Sequence, residues 1–125
     1  MNNTLQFNGV PILHKTVNLT LTKEEIKFIE NQKINGTENS VKVSNNIFVL
    51  NNKKMKRVKN YLTTYVKDFV KNLLELKNSF NMTSSWVTLN NSTNSHHAHE
   101  HHNSVLSLVY YVQCNGGDLT LYYNG

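Results

Sequence analysis

The sequence predicts an α+β domain, and three observations carry that expectation. A long stretch from about Lys53 to Lys77 places apolar residues three and four apart, as an amphipathic helix requires. A shorter segment opens on a helix-capping signal at Thr22-Lys-Glu-Glu25. After Lys77 the pattern changes to short β-branched and aromatic runs separated by polar or glycine-containing connections. Helices first and a mostly antiparallel sheet last is an α+β order.

At 125 residues the chain is expected to form a single domain, 1–125, with 1–80 mainly helical support and 81–125 contributing strands. Residues 10 to 19 are apolar and β-branched enough for a strand, with Pro11 near its start, where proline is tolerated. His14 within it reads as structural or surface. In the helix after Thr22, the residues Ile26, Phe28, Ile29 and Ile34 face a core, and Asn35-Gly36 supplies a stop. Residues 35 to 46 read as loop, and 46 to 51 as a strand or a buried turn before the next helix. The long helix presents Met55, Val58, Leu62, Val66, Phe69 and Leu73 as its core stripe. Met82 to Asn90, Ser104 to Gln113 and Asp118 to Tyr123 read as strands, and Asn115-Gly-Gly-Asp118 as a hairpin turn.

Composition narrows the function classes. The formal charge is +5, and lysine supplies all the basic residues except Arg57. The densest run, Lys53-Lys-Met-Lys-Arg-Val-Lys59, has no interleaved aromatics, so it reads as a solvated helix face rather than a nucleic-acid patch. No apolar stretch approaches the ~18 residues of a membrane span, and the first residues lack the shape of a signal peptide. One unpaired cysteine, Cys114, fits a reducing compartment, so a cytoplasmic location is expected, that of the host cell if the gene is carried by a phage. The 21 asparagines, beside a lysine excess, reflect coding bias toward A and T, and the Asn-x-Ser/Thr triplets follow from that abundance.

The chemistry concentrates in Ser95-His-His-Ala-His-Glu-His-His-Asn-Ser104, which holds five of the six histidines. Neutral imidazole is the commonest transition-metal ligand. If the chain is extended here, alternation puts His97, His99 and His101 on one face, with His96, Ala98, Glu100 and His102 on the other. Glu100 then points away from a metal held by the first face. A single cysteine excludes a cysteine-type zinc site. The competing reading is a solvated histidine-rich loop that takes up metal adventitiously. Ligation needs neutral imidazole, so affinity is expected to fall as pH drops through the ordinary histidine range near ~6.5.

Ser85-Trp-Val-Thr-Leu-Asn90, His96 to Ser104, Leu106-Ser-Leu-Val-Tyr-Tyr-Val112 and Gly116-Gly-Asp-Leu119, in this order, resemble a family of iron(II)/2-oxoglutarate-dependent oxygenases frequent in bacteriophages and marine bacteria. The family pattern is Ser-Trp, then His-x-His-x-Asn-Ser, then Leu-Ser-Gly-Val-Tyr-Tyr, then Gly-x-Leu. The Val-Pro-Ile start and long helix are similar too, though the specific motifs lie in residues 85 to 121. The resemblance implies a double-stranded β-helix, of which this chain carries a partial, jelly-roll-like antiparallel sheet. It also implies Fe(II) as cofactor, 2-oxoglutarate as cosubstrate, and oxidative hydroxylation of a substrate that the sequence does not specify. Carried over, His99 and His101 match the His-x-His pair as metal ligands, with His97 in reserve. Tyr110 and Tyr111 match the following strand and either line the cosubstrate pocket or are buried in the sheet. Trp86 reads as core.

Three departures accompany the resemblance. The usual carboxylate of the superfamily's metal triad is replaced by His101. The family's distal histidine and the basic residue that clamps 2-oxoglutarate have no counterpart after residue 102. Leu108 stands where the family has glycine and is expected to narrow the pocket. The second departure implies an open sheet edge: a longer product, a partner chain or a homo-oligomer would complete it, or the module is a non-catalytic assembly protein, for instance of a virion. A simple Zn²⁺ or Ni²⁺ module is the third reading, because imidazole affinity alone does not select iron.

Overall fold

The computed structural model describes residues 2–7, 10–15, 18–37, 40–91, 95–114, 116 and 119–121, the first two segments as backbone only. The chain begins with an antiparallel hairpin, β1 (Asn2–Phe7) and β2 (Val10–Lys15), in which Phe7 faces Val10 and Asn2 faces Lys15. In sequence these strands are separated by Asn8-Gly9, the pair that two-residue hairpin connections favour.

Helix α1 (Lys23–Glu30) starts as its sequence dictates. The Glu25 amide donates to Thr22 Oγ1 at 3.1 Å, and the Thr22 amide donates to Glu25 Oε2 at 2.8 Å, closing the capping box. The helix stops five residues before the expected Asn35. Gln32 Nε2 donates to the Phe28 carbonyl at 2.9 Å, satisfying one of the acceptors that a helix end leaves open. Ile34 therefore leaves the helix face assigned to it and enters a small antiparallel sheet. The sheet order is β3 (Ile34–Asn35), β4 (Lys42–Ser44), β5 (Thr88–Leu89). Gly36 begins the connection from β3 to β4 at φ +152°, and a Cβ there would lie 3.0 Å from Lys42 Cγ, so the position requires glycine. Residues 35 to 46 are thus not all loop, since β4 lies among them.

Residues 46 to 51 form a turn rather than a strand, with a 3₁₀ turn at Val49–Asn51, and of them only Val49 is buried while Ile47 and Phe48 are exposed. A second 3₁₀ turn, Lys53–Met55, leads directly into helix α2 (Lys56–Asp68), and a π turn, Phe69–Leu73, ends it. The helix is shorter at its C-terminal end than the periodicity to Lys77 suggested. The Leu74 amide bonds the Phe69 carbonyl and the Leu76 amide bonds that of Val70, so the last turn widens and the α spacing is lost.

Met55, Val58 and Leu62 form the buried centre, with Leu19, Leu21, Phe28, Ile29, Leu50 and Tyr110 packed against it. Val58 is the most enclosed at 2% exposure. The predicted stripe is correct at these three positions. Val70 is buried in place of its neighbour Phe69, which is half-buried, because the π turn rotates the face.

The α+β class holds, but the order does not: among the described residues, four of the five strands precede residue 80. The strand expected over Met82 to Asn90 reduces to β5 and an isolated parallel bridge between Ser85 and Phe48. The strand expected over Ser104 to Gln113 has no ladder among the described residues. β-propensity records fit to a neighbouring strand, and among the described residues none pairs with this segment. The Asp118 to Tyr123 strand and the Asn115-Gly-Gly-Asp118 turn fall largely outside the described residues. No helix among the described residues is long and apolar enough to cross a membrane.

Candidate metal centre

The histidine loop hangs between two anchors. On its N-terminal side, Ser85 is tied to the 3₁₀ turn: its amide donates to the Ile47 carbonyl at 2.8 Å, and its hydroxyl accepts from the Leu50 amide at 3.0 Å. The Val87 amide donates to Ser44 Oγ at 2.9 Å, and the Ser44 amide to the Val87 carbonyl at 2.9 Å. Trp86 is fixed between these bonds. It is 39% exposed, so the expectation that it is core is corrected. Its ring sits 5.4 Å from that of His101, centroid to centroid. Backbone bonds on either side hold the indole at the surface, on the loop's side of the molecule.

On the C-terminal side the loop turns at His101–Ser104, where the Ser104 amide reaches the His101 carbonyl at 3.3 Å. Asn103 takes φ 60° there, a left-handed conformation that asparagine tolerates. Tyr110 is the second anchor. Its ring packs on the Met55–Val58–Leu62 core and its hydroxyl donates to the Leu19 carbonyl at 3.3 Å. Burial, reinforced by nearby Tyr61, pushes its phenol above the usual range. Tyr110 is thus half-buried against the helical core, and no sheet surrounds it among the described residues. Tyr111 is exposed.

Between the anchors, His96, His97 and His99 converge, with one ring nitrogen from each within 4.8 Å of the others. The ring centroids of His96 and His99 are 4.2 Å apart, and those of His99 and His101 are 5.0 Å apart. The alternation that would separate His96 from His97 and His99 is absent, because the loop is not a strand. His101 stays beside His99 but leans on Trp86, and His96 takes the third position in the cluster. Glu100 lies 3.6 Å from His102 Nδ1 in an exposed pair.

One backbone carbonyl organises the cluster. His97 O lies 2.9 Å from His99 Nδ1 and 3.2 Å from His96 Nδ1. A carbonyl only accepts, so each Nδ1 carries the proton, and Nε2 keeps the lone pair in each neutral ring. Orienting a ligand ring through its other nitrogen is the usual preparation for metal binding. Tetrahedral ligation with ~2.0–2.1 Å bonds needs nitrogens about 3.3 Å apart. Closing from within 4.8 Å takes side-chain rotations that an exposed loop permits. The donor set fits zinc, copper, nickel or iron.

A feature that sequence reasoning missed ties α1 to α2. The only arginine, Arg57, donates from Nε to Glu25 Oε1 at 2.9 Å, and from Nη2 to Glu25 Oε2 at 2.6 Å and the Thr20 carbonyl at 2.8 Å. The Glu25 side chain is 5% exposed and that of Arg57 49%. The guanidinium holds the Glu25 carboxyl below the usual carboxylate range, against the opposing effect of burial. Arg57 is therefore committed to the fold and is not a clamp for a bound acid. The signal for this was an acidic third helical position in one helix and a lone arginine in the other. Comparison with known protein families, curated proteins and solved structures found no match.

Proposed function

We propose that this chain is an Fe(II)/2-oxoglutarate-dependent dioxygenase-like protein carrying the opening strands of a double-stranded β-helix, with its metal held by the loop at residues 96–101. The observation that carries the reading is the convergence of His96, His97 and His99, with His101, the other member of the His-x-His pair, beside His99. The ring orientation imposed by the His97 carbonyl supports it. His99 is the central ligand, flanked by His97 and by His96 or His101. Bound there, Fe(II) would supply a Lewis-acidic centre with open positions for 2-oxoglutarate and O₂. Tyr111, exposed close by in sequence, is the remaining cosubstrate-facing candidate, since the Tyr110 hydroxyl is engaged with Leu19.

Anaerobic titration with Fe(II) and 2-oxoglutarate tests this. A charge-transfer absorption band, and succinate formed on admitting air, are the expected results. Metal binding without either would reject the oxygenase chemistry and leave a metal-binding module.

A second reading, a non-catalytic assembly protein, is favoured by one observation. Along Val105 to Val112 only Leu106 and Tyr110 are half-buried, whereas Val105 at 75%, Leu108, Val109 at 61%, Tyr111 and Val112 are exposed. A segment seated at two positions and otherwise apolar and open is suited to a partner strand or a second copy. Light scattering after size exclusion separates the readings. A metal-indifferent oligomer that V109D dissociates supports assembly, and a monomer excludes it.

A further inference from the structure

The 3₁₀ turns and the start of α2 border a shallow groove lined by Asn51, Asn52, Lys53, Lys56, Lys59 and Asn60, with Leu50 the one apolar contributor. Lysines on a helix face are ordinarily just solvated. Two features set these apart. None of the three has a carboxylate partner among the described residues, whose ion pairs are Arg57–Glu25 and His102–Glu100. The asparagine carboxamides are also turned one way. Lys59 Nζ donates to Asn51 Oδ1 at 2.6 Å, and the Lys54 amide donates to Asn52 Oδ1 at 3.0 Å. Ammonium and amide groups only donate, so the oxygens must face them, and each NH₂ group is left to donate outward. Lys56 and Lys59, three residues apart on α2, have Cβ atoms about 5–6 Å apart, and Lys53 stands in the 3₁₀ turn just before them. Together the ammonium and carboxamide groups form a surface rich in donors, its acceptors largely consumed internally, in a chain of charge +5.

We infer that this groove is a phosphate-recognition site, taking the oxygens of a phosphate ester through Lys53, Lys56, Lys59 and the Asn51 and Asn52 NH₂ groups. Phosphate offers acceptors on every side and negative charge, which is the complement of such a surface. The ester belongs either to a nucleic-acid backbone or to a small phosphorylated molecule. The site is independent of the histidine loop and of any metal there.

The test uses the full chain and two probes, a fluorescein-labelled oligothymidylate and inorganic phosphate. Three lysine contacts to single-stranded backbone imply a salt slope of roughly −2, so anisotropy-measured affinity should fall roughly 10–20-fold between about 50 and 200 mM salt. K53Q/K56Q/K59Q should abolish most of that slope and weaken binding at least about tenfold at low salt. The control K27Q/K67Q/K77Q removes the same charge from exposed positions elsewhere and should change affinity only about twofold. Inorganic phosphate that displaces the oligonucleotide better than chloride of equal ionic strength, or that shifts the groove's amide resonances when the oligonucleotide does not bind, assigns the site to isolated phosphates. Displacement no better than chloride assigns it to a polynucleotide backbone. Equal losses in the two triple variants, or no response to either probe at low salt, would overturn the inference.

Discussion

Replacing Glu25 separates two interactions that share one carboxylate. Glutamine at this position can still accept from the Thr22 amide, since either residue closes a capping box, but it removes the charge that meets Arg57. Alanine removes both. A hydrogen bond to a charged group contributes about 1.5–3 kcal/mol. Because Arg57 is half exposed, solvent screening holds the ion-pair part to the lower end. Glu25→Gln should then cost about 1.5 kcal/mol and Glu25→Ala about 2–3 kcal/mol, the added loss being that of the cap. For a chain this size each kcal/mol lowers Tm by roughly 3–5 °C. Urea unfolding followed by circular dichroism at several pH values reads these differences. The Glu25 carboxyl titrates below its ordinary 4.5 in the folded chain, so its contribution is complete above that value and is lost as pH falls through the lower folded one. The gap between wild type and Glu25→Gln should therefore close below pH 4.5, and it should shrink in molar salt. A gap constant from neutral pH down into the acid range, or equal costs for glutamine and alanine, would refute the assignment.

Three further outcomes follow from the same geometry. In calorimetric titration with Ni²⁺ or Zn²⁺, His99→Ala should lose the most affinity, and His96→Ala should lose more than His101→Ala, the reverse of the order expected from the His-x-His pair alone. Leu62→Ala should destabilise by about 2–4 kcal/mol in urea unfolding, because it opens a cavity against Met55 and Val58. Tyr110→Phe should cost about 0.5–1.5 kcal/mol by removing the bond to the Leu19 carbonyl while leaving the ring packed, and the alkaline absorbance titration should lose a tyrosine component that titrates above the usual range.

Much of the helical half was legible because its signals are local. The Thr22–Glu25 box and the three-four spacing of Met55, Val58 and Leu62 depend on residues one turn apart, and both are present as expected. The errors arose where distant backbone decides. Ile34 satisfies a helical stripe on paper, yet it pairs with Ser44 ten residues on. Val105 to Val112 has strand composition but no paired neighbour among the described residues, and composition does not supply one. The hairpin of β1 and β2 was overlooked although Asn8-Gly9 announces it in the sequence. In the histidine loop, residue content identified the chemistry, while the grouping depended on an assumed extended backbone. Without alternation, a carbonyl at His97 gathers His96 with His99, and no periodicity argument reaches that.

The chain's sole indole leans against His101, one imidazole away from the cluster, and is partly open to water. Its emission is thus a built-in optical gauge of the loop. A paramagnetic ion seated among the imidazoles would darken it, whereas zinc would change it only by moving the His101 ring. Occupancy and rearrangement can be told apart in a cuvette with no label attached.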